Sequence, residues 1–161
     1  MKKYLLNPIG MLAAGLLLGA LSRVLDLYTQ NLGNIFSQMA IWILLGVLIS
    51  IYSSSKKRAM CNILPFCLGM LSTYYLVAFL TDGVYSKTMI IGWTLFALCS
   101  PVFAYFAWLT KEKGVLPKLI GVGIVVVSFL TSLVLFDRIR VYDIVINGIL
   151  CYFLFFKKVA R

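Results

Sequence analysis

The sequence predicts an all-α, polytopic transmembrane bundle of six helices with both termini on the cytoplasmic side, and three observations carry that prediction. Hydrophobic residues make up 62% of the 161 positions and charged residues only 12%. The apolar residues fall into six runs of about the length that a bilayer demands, roughly twenty residues each. Lys and Arg gather in the gaps between those runs, and preferentially in every second gap.

The composition decides the solvent. A soluble domain this rich in apolar residues would expose large hydrophobic patches, whereas lipid covers the outward faces of helices that satisfy their own backbone hydrogen bonds. The whole chain, 1–161, therefore reads as a single integral membrane domain. The runs extend over Pro8–Leu27, Ile35–Tyr52, Met60–Leu80, Met89–Leu109, Leu116–Phe136 and Val141–Phe156. Between them, Ser53-Ser54-Ser55 with Lys56, Lys57 and Arg58 forms a polar break, and Thr81-Asp82-Gly83 stops the third run. Gly114 suits a left-handed helix end and Pro117 the first turn of the next helix. The first run follows Lys2 and Lys3 and superficially resembles a secretory signal. Its length and the spans that follow favour an uncleaved first helix.

Charge sets the orientation. Assigning gaps to alternate sides puts eleven Lys and Arg on one face and only Arg23, Lys87, Arg138 and Arg140 on the other. The basic face is the inner one by the positive-inside rule, which gives a cell-membrane protein with both ends inside. Asp26, Asp82, Asp137 and Asp143 fall on the outer side, with Glu112 alone among the acids inside. The net charge of +10 does not indicate a nucleic-acid binder, because the basic residues form no face and belong to no recognised module.

Polar side chains within the runs concentrate towards the outer half, and polar groups in lipid need a cavity or a partner. The sharpest pattern occurs twice, as Arg23-Val24-Leu25-Asp26 and Arg140-Val141-Tyr142-Asp143. A spacing of three puts Arg and Asp on one helix face, and Asn147 lies a further turn beyond Asp143. If the two helices were neighbours, the four charges would form one network. The bland alternative is that these charges sit at headgroup depth, although the short Asp26 and Asp143 side chains cannot reach water as Arg can. Tyr74 and Tyr75 end the third run, as an aromatic belt would, or line a solute pocket. Arg23, Asp26, Tyr74, Tyr75, Arg140, Asp143 and Asn147 are thus the candidate ligand-binding residues.

Ala14, Gly15 and Gly19 bring small residues to one side of the first helix, where they serve either internal packing or docking of a membrane partner subunit. Pro65 and Pro101 each deprive a carbonyl, those of Cys61 and Ala97, of its helical donor, and Ser100 stands ready to replace the one lost at Ala97. The four cysteines, Cys61, Cys67, Cys99 and Cys151, have no redox or metal spacing, and the chain has no His. Neither an enzyme nor a metal or cofactor site is expected.

In size, helix count, glycine-rich first helix and polar outer half, the chain resembles the substrate-binding S components of energy-coupling-factor transporters. That resemblance implies that Ala14, Gly15 and Gly19 meet a transport subunit and that Tyr28–Asn34 forms part of a loop over a solute. The chain is also similar to uncharacterised bacterial multi-pass proteins with a Ser and a Trp in the second helix (Ser37, Trp42) and a Tyr-Tyr pair ending the third. Two functional expectations follow: a small-solute-binding or transport-associated protein with a wet outer pocket lined by Asp26, Tyr75, Asp143 and Asn147, or a non-catalytic accessory subunit of a membrane complex.

Overall fold

A computed structural model describes residues 6–29, 35–36, 39–81, 86–136 and 139–159, with no side-chain description at 135–136. Among the described residues, six α-helices form one bundle: α1 (Pro8–Tyr28), α2 (Met39–Tyr52), α3 (Lys56–Leu80), α4 (Lys87–Leu109), α5 (Val115–Phe136) and α6 (Val141–Cys151). α6 continues into a single π-helical turn, Tyr152–Phe156. Among the described residues, α1, α3, α4 and α5 are long and apolar enough to cross a membrane, and α2 and α6 are shorter apolar helices.

Local chemistry fixes the helix ends. Asn7 accepts the Gly10 N–H on Oδ1 at 2.7 Å, and Pro8 follows in the first turn, where its missing donor is not needed. The Ser55 hydroxyl accepts the Arg58 N–H at 3.2 Å, which starts α3 at Lys56. The basic triplet Lys56–Arg58 therefore belongs to the helix rather than to the break before it. Gly114, at φ 135°, turns the chain between α4 and α5.

At its far end α6 leaves the α pattern after Cys151, and the Lys157 N–H closes the π turn on the Tyr152 carbonyl at 2.9 Å. The exposed carbonyls of this terminus converge on one cation. The Lys111 ammonium donates to the carbonyls of Phe153, of Leu154 at 2.8 Å and of Lys157 at 2.9 Å. A positive charge at a helix C-terminus also suits its dipole.

Neither internal proline breaks its helix. The Ser100 hydroxyl donates to the Ala97 carbonyl at 2.7 Å, which supplies the hydrogen bond that Pro101 removes. Ser22, Ser50 and Ser53 likewise bond the carbonyl four residues back, at 2.5, 2.6 and 2.8 Å, so these buried hydroxyls are satisfied within their own helices.

α2 is the central element and touches α3, α4, α5 and α6. One of its sides packs Leu44, Val47 and Ile51 against Ala107, Ile146 and Leu150. Its other side sets Trp42, Leu45 and Ile49 on a second core around Met11, Ile63, Phe66 and Ala104. α1 lies at the edge of the bundle and packs on α3. That pairing is unusually close: a Cβ added at Gly15 would stand 2.2 Å from the Phe66 carbonyl oxygen, and one at Gly19 would stand 2.1 Å from that of Met70. Only residues without a side chain permit this approach.

Candidate functional site

The two Arg-Asp patterns lie on different helix pairs. On α1, the Arg23 guanidinium pairs with Asp26 at 2.6 Å and lies 5.9 Å from the centre of the Tyr74 ring on α3. Tyr74 in turn meets Tyr75 edge to face at 5.4 Å. On α6, Arg140 lies over Tyr142, bonds its phenol and caps the helix. Because α1 packs on α3 while α6 packs on α2 and α5, the described contacts give two separate clusters rather than one four-charge network. Ser37, Asp82, Asp137 and Arg138, and the loop residues 30–34, lie outside the described residues.

The second cluster is the more deeply buried. Asp143 is 0% exposed and Asn147 1%, and across from them on α5 Ser128 and Ser132 are both 0% exposed. One carboxylate oxygen of Asp143 accepts the Arg140 backbone N–H at 2.9 Å, and the other accepts the Ser132 hydroxyl at 3.2 Å. The Asn147 amide donates to the Asp143 carbonyl at 2.8 Å. Sequence reasoning placed Asp143 and Asn147 on one face; the structure adds the two serines opposite them.

Gly15 and Gly19 are buried against α3, and Ala14, half-buried, packs at the core around Phe66. The face of α1 turned away from α3 is instead aliphatic, with Ile9 81% and Leu17 73% exposed.

A cavity of about 490 Å³ opens between α4 and α5, with α2 and α3 behind it. α4 contributes Phe96, Phe103 and Ala104, and α5 contributes Gly123, Ile124 and Val127. Along α5 the lining runs from Ile120 to Thr131, a length of about 16 Å at the helical rise. Trp42, Ser50, Ser100 and Thr131 bring polar atoms to the wall, yet each donates to a backbone carbonyl, those of Phe36, Gly46, Ala97 and Ser128 respectively. The lining is apolar in effect. Asp26, Tyr75, Asp143 and Asn147 do not line it, so this cavity is not the wet outer pocket expected from the sequence. The sequence does carry a signal for the cleft in the small residues spaced along facing helices: Gly46 and Ser50 on α2, and Ser100, Ala104 and Ala107 on α4.

Apolar helices of spanning length, hydroxyls bonded back to their own helices and a small-residue helix interface define a membrane-type helical bundle. The chain belongs to a family described as a family of unknown function (DUF6518), whose model matches residues 1–150. Comparison with curated proteins gave no match, and comparison with solved structures gave none.

Proposed function

We propose that this chain is a non-catalytic, multi-pass protein of the cell membrane that holds the apolar chain of a lipid-class ligand in the cleft between α4 and α5. The observation that carries this reading is the chemistry of the cleft wall. A polar solute entering it would lose its hydration without gaining hydrogen bonds, since the wall's hydroxyls and the Trp42 indole are already engaged. A hydrocarbon chain loses nothing there. The volume of about 490 Å³ lies in the range of ligand sites, and the elongated form suits a chain. The excess of Lys and Arg in alternate gaps supports an orientation with both termini inside, so that Ile120 marks the inner end of the cleft and Thr131 the outer. Transport association, as in the S components, would require this ligand to pass to a partner.

The test is photo-crosslinking in proteoliposomes with a phospholipid carrying a diazirine on its acyl chain. Labelling should concentrate on Phe103 and Val127 and fall several-fold in Gly123→Phe, a substitution into open space, since a Cβ there meets nothing within 4 Å. Labels spread evenly over lipid-facing positions such as Leu17 and Val134, and indifferent to Gly123→Phe, would sink the reading.

A further inference from the structure

We propose that α5 and α6 hold a sodium ion between the oxygens of Ser128, Ser132, Asp143 and Asn147. The inference is independent of what occupies the cleft. It starts from two buried atoms that have no hydrogen-bond partner among the described residues, the Ser128 Oγ and the Asn147 Oδ1. Both residues are almost wholly buried, at 0% and 1% exposure, and an unsatisfied buried polar atom carries a desolvation cost that needs a compensating partner.

The helix register brings the two atoms into one place. α5 and α6 are joined by a short connection and run antiparallel, and Ser132 bonds Asp143 across their interface. One turn back along α5 is Ser128, and one turn forward along α6 is Asn147, so these two stand opposite each other next to the first pair. The same register persists further down, where a Cβ at Gly121 would lie 3.1 Å from the Phe155 ring. Two turns of each helix therefore place four buried oxygen-bearing side chains along one stretch of the α5–α6 interface.

The chemistry of those atoms selects a cation. The Asn147 amide nitrogen donates to the Asp143 carbonyl, which leaves the amide oxygen as the atom still to be satisfied. The Ser132 hydroxyl is shared between two distant acceptors, Asp143 Oδ1 at 3.2 Å and the Ser128 carbonyl at 3.3 Å. Donating wholly to the Ser128 carbonyl would turn its lone pairs towards Asp143 and the centre of the site. A hard cation takes oxygen ligands of this kind, and a set with one carboxylate among neutral oxygens favours a monovalent over a divalent ion.

Thermal unfolding of the purified protein at constant ionic strength, in sodium, potassium or choline chloride, reads the site directly, because an ion that binds only the folded state raises its stability by mass action. Sodium should raise Tm saturably, by about 2–4 °C once it stands roughly five-fold above its Kd, whereas choline should not. Ser128→Ala removes an unpartnered buried hydroxyl, so its Tm in choline should equal or exceed that of the unaltered chain while its sodium increment is lost. Ser22→Ala, on α1, should keep the increment. Direct ²²Na⁺ binding to the unaltered protein gives a second measurement that needs no variant. Equal Tm in all three salts with no ²²Na⁺ bound, as a trapped water would produce, overturns the proposal. So does a sodium increment that survives Ser128→Ala.

Discussion

The Thr73 hydroxyl reaches from α3 to the Leu16 carbonyl of α1 at 2.7 Å, a hydrogen bond between two helices that ordinary side-chain spacing would keep apart. Gly15, Gly19 and Gly69 make it reachable, because each lies where a Cβ would strike backbone atoms of the opposite helix. Gly19→Ala forces α1 off α3 and should cost about 2–4 kcal/mol, near the upper end for single substitutions. Gly123→Ala, whose added methyl meets nothing, should be neutral or stabilise by about 0.5–1 kcal/mol through helix propensity. Unfolding midpoints of the two variants, side by side, check the pair.

Ser100 and Pro101 form a coupled unit around the Ala97 carbonyl. Ser100→Ala should destabilise by about 1–2 kcal/mol, because the carbonyl then has neither donor. Pro101→Ala returns a backbone N–H to that carbonyl, so removing the serine in this background should cost clearly less. A double-mutant cycle with the same cost for Ser100→Ala in both backgrounds would show that the hydroxyl does not perform the repair.

Lys111 gathers three carbonyls at the end of the π turn. Lys111→Met keeps the aliphatic stem and loses the charge, and should cost about 1–3 kcal/mol. Hydrogen exchange over residues 153–159 should accelerate while α1 is unaffected, which separates local fraying from general instability.

The orientation is read by labelling of single cysteines in a background where the native four are replaced. Lys113→Cys, in the exposed turn after α4, should react with a membrane-impermeant maleimide only once the inner face is opened. Tyr28→Cys, 82% exposed at the end of α1, should react from outside in intact cells. The reverse pattern would invert the topology.

The number of helices and much of their placement were legible because a bilayer imposes length on any span. The pairing of Ser100 with the carbonyl freed by Pro101 was readable too, since it is a local consequence of proline chemistry. Packing order was not. In lipid a helix need not be amphipathic, so the sequence of α4 does not announce that Phe96 and Ala104 face a cleft while Leu95 faces outward. Arg23 and Arg140 share a pattern, and nothing local to either says that one lies over Tyr74 of α3 and the other over Tyr142 of its own helix. Asp143 and Asn147 were singled out from their shared helix face, whereas Ser128 and Ser132 matter only through the α5–α6 register.

That α1 packs chiefly on α3 bears on how the chain is made. α1 emerges first, yet α3 is not complete until the ribosome has passed Leu80, so α1 must persist as a lone lipid-solvated helix while α2 is threaded in. Its 21 residues and aliphatic outer face allow that wait. α2, only 14 residues long and surrounded by four partners in the finished bundle, has no such independence. Assembly thus begins with a parallel pair of non-consecutive helices closing around Gly15 and Gly19, and the central helix acquires its setting only as later spans arrive.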